Sequence, residues 1–85
     1  MIHSQQIRAG RAILDMSQLE LAMITGLNIS TIRKIEKNDQ GLKSANFDSV
    51  NKIKEALEAK GVKFLNATER DGISGIGVRF YFLSN

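Results

Sequence analysis

The sequence predicts a mainly α fold in which four short helices are followed by a C-terminal β-hairpin. Three observations carry this expectation. Ser4, Ser17, Asn28 and Asn46 each stand directly before a segment with apolar residues at helical spacing, and their side-chain oxygens suit the free amides of a first helical turn. Gly26 and Gly61 fall where such segments end, and glycine best tolerates the left-handed conformation that closes a helix. Beyond Gly61 the apolar period shortens to two, the spacing of a strand. Eighty-five residues make one domain with a limited core, stable alone only if well packed or if it dimerises.

The first helix is expected from about Ser4 to Leu14. Ile7, Arg11 and Leu14 share one of its faces, so an arginine centred on an apolar stripe needs a partner. Ser17-Gln18-Leu19-Glu20 is a capping box that opens a second helix, Gln18 to Thr25, with Leu21, Ala22 and Thr25 facing inward. Asn28 caps a third, Ile29 to Lys37, with Ile32 and Ile35 inward, Thr31 partly so, and Ser30, Arg33, Lys34 and Lys37 on other faces. Asn38 to Ala45 is polar, contains Gly41 and reads as a loop. Asn46 caps a fourth helix with the core stripe Phe47, Val50, Ile53 and Leu57. Strands are expected at Val62 to Leu65 and at Val78 to Leu83, paired antiparallel across the polar, glycine-bearing stretch Asn66 to Gly77. Val78, Phe80 and Phe82 then share one face, and Arg79, Tyr81 and Leu83 the other.

Composition excludes several chemistries. Without cysteine there is neither a disulfide nor a thiolate metal site. The one histidine, His3, reads as a solvated imidazole, and no metal or other cofactor is expected. No nucleophile–base constellation suggests an enzyme. The stretch GISGIG from Gly72 lacks the Lys-Ser/Thr of a phosphate loop and reads as a turn. No long apolar run marks a signal peptide or spanning helix, so a cytoplasmic protein is expected. A net charge of +3 is too mild to indicate nucleic acid by itself. The placement of particular charges on particular helices is more informative.

Gln18 to Lys37 is the telling segment. Two capped helices are joined by a short turn with Gly26, and Ala22 is small enough to let them approach. Leu21, Ile32 and Ile35 fill the wedge between them. Such a helix-turn-helix leaves its second helix projecting, able to enter a DNA major groove. These residues resemble the lambdoid-repressor-like, Cro-type regulators of the XRE family. The resemblance is carried by Arg11, by SQLELAMITGLNISTIRKIEKN from Ser17 and by NFDSVNKIKEALEAKG from Asn46, and it runs from about Gln6 to Gly61.

The resemblance implies a four-helix, lambda-repressor-like DNA-binding domain over residues 1–61. Residues 62–85 form a hairpin that closes the core or dimerises. It implies a sequence-specific transcriptional regulator, a repressor or autoregulator, in which Ile29, Ser30, Arg33 and Lys34 read bases. Gln18, Asn28, Lys37, Asn38, Gln40 and Lys43 would contact phosphates. It also implies an ion pair between Arg11 and Glu36, which agrees with the need of each for an opposite charge on an apolar face.

Two departures qualify the expectation. Ile29 is apolar where relatives are often polar, so it either packs on a thymine methyl or on its own first turn. Leu19 and Met23, with Ile24 beside them, replace polar residues of the second helix. Either the first helix or the hairpin covers them, or they form a partner surface together with Tyr81 and Leu83. That partner would be a toxin, RNA polymerase or another subunit, and the antitoxin of a toxin–antitoxin pair is the alternative function. Apolar residues on both hairpin faces suggest a homodimer reading a palindromic operator in double-stranded DNA.

Overall fold

The computed structural model describes residues 2–66 and 75–81. Its described residues form five helices, α1 (Ser4–Ile13), α2 (Gln18–Thr25), α3 (Ile29–Lys37), α4 (Asp39–Ser44) and α5 (Phe47–Ala59), and two strands, β1 (Val62–Asn66) and β2 (Ile76–Phe80). The strands pair antiparallel with Val62 opposite Phe80 and Asn66 opposite Ile76. The architecture is therefore mainly helical with a small hairpin, and no helix among the described residues is long and apolar enough to cross a membrane.

The core joins all the elements. Ile7 of α1, Leu21 and Ala22 of α2, Ile32 and Ile35 of α3, Leu42 of α4, Ile53 and Leu57 of α5 and Val62 of β1 are buried together. Val78 and Phe80 of β2 and Phe64 of β1 pack on this cluster, so one face of the hairpin closes the core. Burying such aliphatic side chains contributes about 1.5–3 kcal/mol each, the main term holding so short a chain together.

Local chemistry sets the boundaries of α2 and α3 as the sequence predicts. The Glu20 amide donates to Ser17 Oγ at 3.0 Å, while the Ser17 amide donates to Glu20 Oε1 at 3.4 Å. Gly26 closes α2 at φ 73°, and Asn28 Oδ1 accepts from the Ser30 amide at 2.9 Å.

The segment Asn38 to Ala45, expected as a loop, is instead helical. Asn38 Oδ1 accepts from the Gly41 amide at 2.8 Å and caps α4. Gly41 breaks the sequence pattern but enables the packing, because a Cβ there would lie 2.1 Å from the Lys34 carbonyl oxygen of α3. Glycine alone lets the two helices meet this closely.

Phe47 is not part of the α5 core stripe. It stands at the first helical position, 79% exposed, on the rim of a groove of about 340 Å³ beside Ile2, Leu42 and Val50. Ile2 and Leu42 close the buried core at that end, and Phe47 stays outside it. Ser4 does not cap α1 with its side chain. The cap position belongs to His3, and Ser4 is the first helical residue.

The second strand begins earlier than its alternation suggests, at Ile76, and ends at Phe80. Tyr81 follows it, its amide donating to the Gly61 carbonyl at 2.8 Å, and is half exposed. Phe82 and Leu83 lie outside the described residues, as does most of the connection between the strands.

Candidate nucleic-acid interface

Helix α3 divides into two faces. Ile32, Ile35 and Glu36 are buried. At 100° per residue, Arg33, Lys37, Ser30 and Lys34 fall within an arc of about 100° on the opposite side. All four are exposed, and among the described residues no carboxylate pairs with Arg33, Lys34 or Lys37. Ile29, at the edge of this arc, is partly buried against the core. That is the packing alternative for this residue, and its remaining exposed edge is apolar.

The hydrogen bonds of the caps decide what the nearby polar groups have left to offer. The Ser30 hydroxyl donates to Asn28 Oδ1 at 2.9 Å, so its proton is used and its free capacity is as an acceptor. Asn28 and Asn38 both turn their carboxamide oxygens onto helix amides, at 2.9 and 2.8 Å. Each therefore keeps its Nδ2 hydrogens as outward donors. Gln40, Lys37 and Lys43 are exposed. Lys43 also borders the Phe47 groove.

Gln18 makes a contact within the fold. It is half-buried, and its Nε2 donates to Glu36 Oε1 at 3.3 Å, tying the start of α2 to the last turn of α3. One amide hydrogen remains for any other acceptor.

Glu36 is the centre of a buried network. Arg11 Nε donates to Oε2 and Arg11 Nη2 to Oε1, each at 2.7 Å, while Arg11 Nη1 donates to the Met16 carbonyl at 2.9 Å. The carboxylate side chain is 2% exposed and the guanidinium 19%. This two-pronged geometry satisfies both charges and fixes α3 on α1.

Three further anchors, Arg8, His3 and Gln6, lie on α1 or at its cap. Arg8 Nη1 donates to the Glu36 and Lys37 carbonyl oxygens at the end of α3, the latter at 3.3 Å. His3 Nδ1 lies 2.8 Å from Asp39 Oδ2, and the Ser4 amide donates to Asp39 Oδ1 at 2.9 Å. A carboxylate only accepts, so the imidazole proton is on Nδ1. His3 is thus paired across the fold rather than simply solvated. Buried Gln6 accepts from the His3 amide at 2.8 Å and donates to the Leu65 and Gly77 carbonyls, both at 3.0 Å, pinning the hairpin to α1. The one local signal for α4 is Asn38 itself, a residue type that suits an N-cap. The partners of His3, Gln6 and Arg8 are far away in sequence and carry no local signal.

The α2 patch is open. Leu19 is 57%, Met23 73% and Ile24 47% exposed, so neither α1 nor the described strands of the hairpin cover them. Leu19 and Met23 border a shallow groove of about 420 Å³ with Leu27, Asn28 and Ile29.

Comparison with family models finds none that matches this chain, and comparison with curated proteins finds no match.

Proposed function

We propose that this protein is a sequence-specific double-stranded DNA-binding regulator that reads the major groove with α3. The observation that carries the proposal is the division of α3. Arg33, Lys34, Lys37 and Ser30 share an exposed outward arc on which, among the described residues, no carboxylate pairs with the three cations, while the inward side is locked by Ile32, Ile35 and the Arg11–Glu36 pair.

In this reading Arg33 donates to guanine O6 and N7, and Lys34 donates to a guanine or a phosphate. Ser30, with only acceptor capacity left, takes an amino hydrogen from adenine or cytosine. The Nδ2 groups of Asn28 and Asn38, with Lys37, Gln40 and Lys43, donate to phosphates and fix the register, and the second amide hydrogen of Gln18 adds to them. Occupancy of an operator then represses or recruits transcription, including that of the protein's own gene. The reading is supported by a mainly helical fold, with the short helix α4 directly after α3.

A homodimer is part of this reading. It would place two copies of α3 on half-sites about 10 bp apart or a multiple of that. Sedimentation at tens of micromolar, with and without DNA, tests it, and monomer alone in both conditions would count against it. Binding itself is tested by titrating duplex DNA at rising salt. Affinity that falls linearly on logarithmic axes supports phosphate neutralisation, whereas no binding at low salt rejects the reading.

The exposed Leu19, Met23 and Ile24 favour a second reading, in which the protein also docks a protein partner, as an antitoxin does its toxin.

A further inference from the structure

Two arginines one turn apart on α1 hold the last turn of α3 in different ways. Arg11 takes the Glu36 side chain, whereas Arg8 reaches the main chain at the Glu36 and Lys37 carbonyls. Those carbonyls need a donor. A helix leaves its last carbonyls without intrahelical partners, and a following left-handed residue commonly supplies them with amides. Here Asn38 is extended, at φ −167°, and already serves as the cap of α4. The chain therefore passes from α3 into α4 without a closing motif, and the guanidinium of Arg8 supplies the missing donors. Its positive charge also suits the negative end of the α3 dipole.

The corner between α3 and α4 is held from the same helix at a second point, through the Asp39 contacts with His3 and Ser4. His3, at the cap of α1, and Ser4 and Arg8 within it thus grip residues 36, 37 and 39 around the corner.

We propose that Arg8 is a positioning residue for the outward arc of α3, setting where its last turn lies and hence where Lys37, Lys34 and Arg33 aim. The proposal rests on α3 being the reading helix. Arg8 is exposed and takes the Glu36 main chain rather than its carboxylate, so its loss is expected to leave the Arg11–Glu36 pair and the core in place. What changes is the aim of the helix, which matters to base recognition and little to attraction by phosphates.

The test uses the full chain with Arg8→Met, which keeps apolar length without donors, and Arg8→Lys, which keeps the charge. Two readouts are taken: amide exchange at Gly41 and Leu42 relative to Ile53, and affinity for a selected duplex against a random one. In Arg8→Met the corner amides are expected to exchange about tenfold faster, and the ratio of specific to random affinity to fall about tenfold, as for loss of a charge-assisted hydrogen bond. Arg8→Lys recovers part of both. Equal loss on the two duplexes, with a salt slope smaller by about one, would make Arg8 a phosphate contact and overturn the proposal. Unchanged exchange with an unchanged ratio overturns it as well. If wild type prefers no sequence, the DNA reading fails by itself, and the exchange measurement alone decides whether Arg8 holds the corner.

Discussion

Arg11 holds both oxygens of the Glu36 carboxylate at 2.7 Å, across the seam between α1 and α3. The pair sits among apolar neighbours, so its two halves depend on each other more than the fold depends on the pair. Arg11→Met or Glu36→Gln alone is expected to cost about 3 kcal/mol, because each strands a desolvated charge or its partner. The double variant should cost less than the sum, with a coupling of about 1–3 kcal/mol in a double-mutant cycle by urea denaturation. Additive losses would mean that the two charges are solvated independently.

Gly41 and Gly26 should respond to alanine for different reasons. At Gly41 the new methyl meets the Lys34 carbonyl at 2.1 Å, and a backbone atom cannot swing aside. Gly41→Ala is expected to cost about 3 kcal/mol and to displace α4 from α3. At Gly26 there is open space within 4 Å but φ is 73°, so Gly26→Ala carries only the left-handed penalty of about 1–2 kcal/mol. Thermal unfolding of both variants checks the order, and a milder effect at Gly41 would show that the helices separate easily.

This contrast also explains how far the sequence could be read. Where one residue satisfies a neighbour a few positions away, as Ser17 does Glu20 or Asn28 does Ser30, the element and its ends were legible. The Arg11–Glu36 pair was implied by the family resemblance, and the need of each charge on an apolar face for a partner agrees with it. Helix α4 was hidden because Asp39–Ser44 is too short to show a period, and because Gly41 reads as a breaker until the α3 carbonyl beside it is known. Phe47 misled because a stripe continued to the first turn of α5 overruns the end of the core. Within the candidate site, the outward position of Arg33 and Lys34 followed from periodicity. The commitment of the Gln18 amide to Glu36 depended on a tertiary contact.

The His3–Asp39 contact gives the fold an acid-sensitive point. The Asp39 carboxyl is held below its ordinary value of 3.8, first by the hydrogen bond from the His3 imidazole and next by the Ser4 amide. Folding therefore favours the ionised form. The stability it confers is complete above the ordinary value and is lost as pH falls through the lowered folded one. Asp39→Asn should be less stable than wild type at about pH 7, and the gap should narrow as pH falls below the ordinary carboxylate value of 3.8. A gap that persists undiminished in acid would show that the carboxylate charge is not what holds α4 to α1.

The α2 patch should be dispensable for folding. Because Leu19 and Met23 are mostly exposed, the double change Leu19→Gln, Met23→Gln is expected to alter stability by no more than about 0.5 kcal/mol at each site. Thermal unfolding and sedimentation of the variant check this. A loss of several kcal/mol would mean that the patch is covered in solution, and a lowered oligomeric state would identify a second copy as the cover.

The central claim is tested most directly by selecting binding sites from random double-stranded DNA, with wild type and the Arg33→Ala, Lys34→Ala variant in parallel. The proposed function predicts that wild type enriches a palindromic site and that the variant loses it. A variant that enriches the same site as wild type, or a wild type that enriches nothing at low salt, would contradict the assignment of α3 as the reading helix.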